Sequence, residues 1–158
     1  MRARTTLVGC LAWLGAVALS VPAEAANQIQ LRLAKHEEGP YLARSPLINV
    51  SDSPKSAYFR LKNKTNHTQD VLAADDSFGS LANYEIRWYR GNQEITDEMQ
   101  GIGSAFRLRP DRPKLLRARI KAPVADPGGF CLNADFLVAP GEHELSGGFY
   151  INDQGACG

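Results

Sequence analysis

The chain has 158 residues, with 18 basic and 17 acidic side chains, a formal net charge of +1 and three cysteines. This near balance excludes any argument from net charge for nucleic-acid or membrane binding, so ionic binding must be sought in local clusters of charge. The length is enough for one domain of ordinary size with its own hydrophobic core.

The N-terminus has the pattern of a secretory signal peptide. Arg2 and Arg4 form a basic start, residues 7–21 form an apolar run, and Ala23-Glu24-Ala25 has the small-x-small pattern of a cleavage site. We therefore predict that residues 1–25 are a signal peptide. Because this segment is rich in alanine, as bacterial signals are, we expect the mature protein to be secreted or periplasmic.

The mature chain, residues 26–158, is predicted to be a single domain. The apolar run of residues 7–21 is shorter than the ~20 residues that span a bilayer. No second run follows it, so no transmembrane helix is expected. A lipoprotein with its lipid on Cys10 is the alternative, but most of the apolar run follows that cysteine instead of preceding it.

Alternation of apolar and polar residues predicts the strands of the first part of the mature chain. Residues 29–33 and 57–62 alternate in this way, and the proline-rich connection between them leaves room for a short edge strand near residues 47–50. Residues 68–73 follow a polar turn and are expected to return as the antiparallel partner of residues 57–62. Residues 75–81 are expected to be a loop.

The strongest strand signals lie in the middle of the chain. Residues 84–90 alternate, with Trp88 on the apolar side, where we expect it to fill the space between two sheets. Residues 97–104 contain two glycines and are expected to be a turn. Residues 106–109 and 116–121 alternate apolar with basic side chains on either side of a Pro/Asp turn, which predicts a hairpin.

Two further strands and two cysteines characterise the C-terminal part. Residues 130–138 alternate cleanly, and residues 148–151 are the candidate final strand. Cys131 and Cys157 remain after removal of the signal, and an even number of cysteines in an exported protein favours a disulfide, worth ~3 kcal/mol. A thiol or metal pair is the alternative, but no C-x-x-C spacing supports it.

The number and spacing of these strands indicate an all-β fold. About seven to eight short strands, separated by turn residues and without a convincing amphipathic helix, predict an antiparallel β-sandwich of two sheets. The predicted core comprises Leu31, Phe59, Leu61, Ile86, Trp88, Leu116, Ile120, Leu132 and Phe136.

Three sequence features follow one another in an order that identifies a fold family. A strand ends in a polar turn (residues 59–65), an aromatic strand leads to a polar hairpin (84–96), and a strand, a turn and a strand end in Ala-Pro (106–123). Over about residues 27–138 this order resembles the Ig-like modules of bacterial exported and surface proteins, of the cell-adhesion-related type. The turn that usually carries Pro-Gly reads Pro110-Asp111-Arg112-Pro113 here. The resemblance implies a binding or scaffolding role, not catalysis, and supplies no site residues.

A cluster of basic residues surrounds the predicted hairpin. On such a hairpin the basic side chains would line up on a common face and form a patch that binds an anionic polymer or glycan, with an affinity that falls as salt rises. No specific nucleic-acid motif accompanies the cluster. The alternative is a solvated sheet face balanced by acidic loops at residues 75–76 and 97–98. The predicted ligand-binding residues are Arg107, Arg109, Arg117, Arg119 and Lys121, with Arg112 and Lys114 between them.

Candidate metal ligands are present, but none has a recognised spacing. No EF-hand pattern and no H-E-x-x-H pattern connects them. Turn-forming residues and a surface histidine explain them better, so we predict neither a metal nor a cofactor. The oxygen-rich candidates are Asp75-Asp76, Asp126 and Asn152-Asp153, and the histidine candidate is Glu142-His143-Glu144.

Catalytic and glycosylation motifs are equally weak. Gly101-Ile102-Gly103-Ser104 lacks the G-x-S-x-G order of a nucleophile elbow, so we predict that the protein is not an enzyme. Asn49, Asn63 and Asn66 match the N-x-S/T acceptor pattern and are interpreted as polar turn residues.

These observations favour an exported, monomeric, non-catalytic binding or cell-surface accessory module. Its expected partner is an anionic polysaccharide, another anionic polymer or a surface protein. Two alternatives stay open. A small secreted hydrolase would show a deep cleft with convergent titratable groups. A periplasmic chaperone or inhibitor would pair a partner strand with a long exposed sheet edge.

Overall fold

The structure is a computed structural model that describes residues 28–139 and 143–155. The predicted signal peptide, residues 1–25, lies outside the described residues, and so does Cys157, the predicted partner of Cys131. The signal peptide and the disulfide therefore stay predictions.

The described residues form two β-sheets, a short helix and a 3₁₀ turn. Sheet A has the strand order β1-β3-β9-β6-β7, and sheet B has the order β2-β11-β10-β4-β8, with β5 added beside β10. The strands pair antiparallel except for β2 and β11, which are parallel. The strands are β1 (Ile29–Ala34), β2 (Leu47–Ile48), β3 (Lys55–Asn63), β4 (Gln69–Asp75), β5 (Phe78–Gly79), β6 (Glu85–Arg90), β7 (Gln93–Glu94), β8 (Ser104–Leu108), β9 (Lys114–Lys121), β10 (Phe130–Ala139) and β11 (His143–Ile151); the helix is α1 (Thr96–Gln100), and the 3₁₀ turn is Leu81–Asn83.

An aromatic core lies between the two sheets. Phe59 of sheet A packs against Trp88 on the same sheet and against Phe149 of sheet B, with ring centroids 5.3 and 5.1 Å apart. Burying side chains of this size contributes roughly 1.5–3 kcal/mol each. The predicted core is confirmed, with Leu31 and Ile86 only partly buried at its margin. The prediction of an all-β, Ig-like antiparallel sandwich is thus confirmed.

Two predicted strand pairings are wrong. Residues 68–73 were expected to pair with residues 57–62, but β4 lies in sheet B between β10 and β8. The predicted hairpin of residues 106–109 and 116–121 is also absent, because β8 is in sheet B and β9 lies between β3 and β6 in sheet A. Alternation shows which side of a strand is buried, but not which strand is its neighbour. Residues 109–113 therefore carry the chain across the sandwich.

A short helix replaces the turn predicted at residues 97–104. The first half of this segment belongs to α1, whose Met99 is almost fully buried in the core. The backbone N–H of Trp88 donates to the Thr96 hydroxyl at 2.9 Å, which anchors the start of the helix to β6. A helix of five residues is too short to produce a periodic pattern in the sequence.

Candidate functional site

The outer face of sheet A carries a concentration of basic side chains. Successive residues of a strand point to opposite faces, so the outward residues of β9 are those between its buried Leu116, Ala118 and Ile120. The pairing of β9 with β3 and β6, and of β3 with β1, brings basic residues of four strands onto this face. We call it the basic face; its cationic residues are Arg32, Arg60, Lys62, Arg87, Arg117, Arg119 and Lys121.

Arginines lie directly opposite each other on neighbouring strands of the basic face. Arg87 of β6 is opposite Arg119 of β9, and Arg32 of β1 is opposite Arg60 of β3. Like charges in this relation destabilise a sheet. Among the described residues the one ion pair on this face joins Arg87 to Glu94 at 3.9 Å, and both side chains are about half exposed. Such a pair contributes little, so the positive charge is left largely uncompensated.

Tyrosine rings hold two of these arginines in place. The guanidinium of Arg117 lies over the ring of Tyr89, 4.6 Å from its centroid, and that of Arg60 lies over Tyr41 at 5.1 Å. The Nε atom of Arg117 is buried and has no hydrogen-bond partner. Stacking of this kind orients the planar guanidinium and reduces the conformational entropy that it loses on binding an anion.

Four of the five predicted ligand-binding residues line two separate clefts, whereas Arg117 lies on β9 over the ring of Tyr89. Arg119 and Lys121 line a cleft of about 380 Å³ together with Asp52, Pro54, Glu85 and Arg87. We call this the mixed-charge cleft. Arg107 and Arg109 line a different cleft of about 390 Å³, together with Arg112, Pro113 and Lys114, where the chain crosses between the sheets. We call this the crossover cleft. The common hairpin face expected from the sequence therefore does not form, because β8 and β9 belong to different sheets.

Sequence reasoning missed the contribution of the neighbouring strands. Arg60 and Arg87 occupy outward positions of strands that were predicted, but their approach to Arg119 and Arg117 depends on the order of strands in sheet A. The alternation of apolar and polar residues in both segments was sufficient to predict that Arg60 and Arg87 point outward. Nothing local in the sequence indicated that β9 lies between them.

The outer face of sheet B differs in character. Leu72 and Leu137 are paired there and are 38% and 44% exposed. Arg107 on this face makes an ion pair with Asp70 at 3.4 Å, with both side chains largely exposed. The strong excess of cations is thus a property of the outer face of sheet A.

Two of the oxygen-rich candidates for calcium, Asp75 and Asn152, make hydrogen bonds that stabilise the fold. The Asp75 carboxylate accepts hydrogen bonds from the Trp88 indole at 2.9 Å and from the backbone N–H of Ser77 at 3.0 Å. The amide of Asn152 bonds the backbone of Val50. Within residues 28–139 and 143–155, no three His, Cys, Asp or Glu side chains are grouped as a metal ion would require. The candidate Glu142-His143-Glu144, interpreted from the sequence as a surface histidine, lies partly outside the described residues.

Edge strands of both sheets are partly covered. The outer edge of β1 pairs with Leu42, whose backbone exchanges hydrogen bonds of 2.9 and 2.7 Å with Leu33. At the edge of β8, the carbonyl of Ala105 accepts a hydrogen bond from the Arg90 guanidinium at 3.0 Å. At these two edges, β1 and β8, such coverage opposes the addition of a partner strand, which the chaperone alternative requires.

The class of protein follows from the fold: the described residues form an Ig-like β-sandwich with a basic outer face on one sheet. No helix among these residues has the length and apolar character needed to cross a membrane. No family model matches the sequence, and no curated protein matches it.

Several solved structures are similar to this chain at low sequence identity. A family 123 glycoside hydrolase from Clostridium perfringens is 11% identical with a TM-score of 0.51; the match covers 78% of this chain and 27% of the hydrolase, so the chain spans about a quarter of that protein. The N-terminal domain of PorA is 14% identical with a TM-score of 0.46, and the match covers 80% of this chain and 99% of that domain. PapD-like domain 7 of human CEP192 is 9% identical with a TM-score of 0.45, and the match covers 78% and 83% of the two chains. At 11% identity the likeness to the hydrolase shows the fold alone.

Proposed function

We propose that this protein is an exported, non-catalytic binding module that holds an anionic polymer on its basic face. The observation that carries the proposal is the pair of arginines, Arg87 and Arg119, which lie directly opposite each other. Arg87 has one weak contact with the Glu94 carboxylate, and no ion pair of Arg119 is found among the described residues. An anionic ligand would relieve this repulsion, so binding gains more here than at isolated surface cations.

The geometry of the basic face suits a ligand with repeated negative charges. Residues at alternate positions of one strand lie about 6.6–6.8 Å apart and neighbouring strands about 4.8 Å apart, so the cations form a two-dimensional array. Arg117, held by Tyr89, lies within this array. A polymer that crosses several strands would contact several cations at once, and its affinity would fall steeply with salt.

The same proposal includes the cellular compartment of the protein and the type of Ig-like module that it forms. A signal peptide at residues 1–25 would export the chain, and a disulfide between Cys131 and Cys157 would join the C-terminus to β10. An Ig-like module of the type found in bacterial exported and surface proteins would then meet an acidic polysaccharide at or outside the cell envelope. We propose that the mature chain, residues 26–158, works as a monomeric single domain.

Retention of the mature protein on an immobilised anionic polysaccharide tests the proposal. The double variant Arg117→Ser/Arg119→Ser should elute at lower salt than the wild type, with a salt slope smaller by roughly 0.7–0.9 for each lost contact if the polymer behaves as nucleic acids do. The matched control Arg109→Ser/Arg112→Ser removes the same charge from the crossover cleft. Equal shifts for the two variants would show that retention follows net charge and not the basic face.

The same samples distinguish a binding module from a hydrolase. A module leaves the length of the soluble polymer unchanged after prolonged incubation, whereas a hydrolase shortens it. Size-exclusion chromatography of the polymer gives the answer directly.

A further inference from the structure

The mixed-charge cleft does not match a uniformly acidic ligand. Two carboxylates, of Asp52 and Glu85, line it beside Arg87, Arg119 and Lys121. Glu85 lies directly opposite Lys121 on the neighbouring strand, yet no ion pair within 4.0 Å forms between them in the described part of the chain. Charges of both signs are therefore presented to a ligand.

Backbone contacts fix the position of the carboxylate side of the cleft. The carbonyl of Ser51 accepts a hydrogen bond of 2.9 Å from the backbone N–H of Ala122, directly after β9. The pairing of Lys55 with Ile120 then starts β3 beside the same end of β9. These backbone contacts hold the loop that carries Asp52 against the end of the basic face. The backbone position of Asp52 is therefore determined by the fold.

A polymer with only negative charges would pair with the three cations of the cleft but would place its other charges beside the carboxylates of Asp52 and Glu85, which have no ion pair among the described residues. Juxtaposed like charges are a common means of excluding the wrong partner. A unit with an ammonium group next to its acidic group would instead pair with the cleft in both signs. A divalent metal ion fits less well, because three cations line the same cleft.

We propose that the ligand is an acidic polysaccharide whose units also carry free amines, and that the mixed-charge cleft binds one such unit. Asp52 and Glu85 face its ammonium group, while Arg119 and Lys121 face its carboxylate or sulfate. This inference rests on the proposed function, since it specifies which anionic polymer the basic face selects.

Two forms of one polysaccharide test the inference. N-desulfated heparin exposes ammonium groups on its amino sugars, and the same material after N-acetylation keeps the backbone carboxylates but loses those charges. Titration calorimetry of the mature protein with both forms should give roughly threefold to tenfold tighter binding of the amine form, the effect of one or two exposed ion pairs.

A double variant links the preference to the cleft. Asp52→Asn/Glu85→Gln should bind both forms with equal affinity and the acetylated form at least as tightly as the wild type does. The control Glu38→Gln/Glu144→Gln makes the same charge change at exposed positions outside the cleft and should keep the preference.

The outcomes separate this inference from the proposed function. If the wild type binds both forms equally, or if the cleft variant keeps the preference, the inference is overturned while polymer binding stands. If the wild type binds neither form at low salt, the proposed function fails and the inference fails with it. The comparison of the two heparin forms on the wild-type protein tests the inference even if the cleft variant folds poorly.

Discussion

Asn152 joins two distant loops through a single side chain. Its Oδ1 accepts from the backbone N–H of Val50 at 2.7 Å, and its Nδ2 donates to the Val50 carbonyl at 3.0 Å and to the Tyr84 hydroxyl at 2.9 Å. The Tyr84 hydroxyl in turn donates to the Gly128 carbonyl. Asn152 has a φ of 58°, a conformation that asparagine tolerates better than most residues. This network fixes three loops at one end of the sandwich.

The same network makes stability depend on pH in the alkaline range. Burial raises the pKa of Tyr84 above its usual value of 10.0, against the lowering effect of the Asn152 hydrogen bond, and Asp126 raises it further. Because the folded state holds the proton more tightly than the unfolded state, the stabilisation is complete below pH ~10 and is lost as pH rises through the folded pKa. Urea unfolding across this range should show the decline, and Tyr84→Phe should reduce it.

Two other effects must be separated from the titration of Tyr84 in this experiment. Tyr84→Phe also removes hydrogen bonds, so its free energy of unfolding at neutral pH should be lower by about 1–3 kcal/mol. Burial raises the pKa of Tyr41 as well, despite the nearby Arg60, so some of the decline should remain in the variant. An unchanged slope in Tyr84→Phe would contradict the role assigned to this hydroxyl.

The sequence predicted which side chains are buried, but it did not predict the hydrogen-bond partners of the polar side chains. Alternation was sufficient to place Trp88 in the core, because a strand fixes which side chains share a face. Its indole donates to Asp75, and buried Asn63 donates to the Leu108 carbonyl at 2.9 Å. Both bonds join segments that are distant in sequence, so Asp75 and Asn63 appeared in the sequence as ordinary turn residues.

Among the individual elements, the short helix α1 contributes a buried side chain to the core. It buries Met99 and follows buried Ile95, whose backbone N–H donates to the Trp88 carbonyl at 2.8 Å. Replacing Met99 with alanine should leave a cavity and lower the free energy of unfolding by about 2–5 kcal/mol. Asp97→Ala, at an exposed position of the same helix, should cost less than about 1 kcal/mol.

Denaturant titration of the two α1 variants decides whether the helix contributes to the core. Similar midpoints for Met99→Ala and Asp97→Ala would mean that α1 is a surface turn, as the sequence suggested. A large loss for Met99→Ala alone would confirm that the helix closes the sandwich.

Strand positions could be predicted from the sequence, but strand order could not. β10 extends over residues 130–139, close to the predicted 130–138, because its alternation is long and regular. β8 and β9 were also located, yet their assignment to different sheets depends on contacts of Leu108 and Leu116 with the core from opposite sides. Because β8 and β9 lie in different sheets, Arg107 and Arg109 are separated from the other residues of the predicted basic patch.

At the scale of the whole molecule, the two outer faces divide the surface by charge. Sheet A presents arginines and lysines from four strands, whereas sheet B presents Leu72 and Leu137 with a paired Arg107 and Asp70. The nearly neutral composition conceals this asymmetry, because net charge sums over both faces. A polymer with negative charge should therefore approach the protein from one side.

The position of the bound ligand tests most directly whether the basic face is the binding surface. Amide NMR spectra of the mature protein, recorded during titration with a short acidic oligosaccharide, report which strands sense the ligand. We expect chemical-shift changes concentrated on β3, β9 and β6, around Arg117 and Arg119, and unchanged amide signals on β4, β10 and β11. Shifts centred on sheet B, or on the crossover cleft alone, would contradict the basic face as the binding surface.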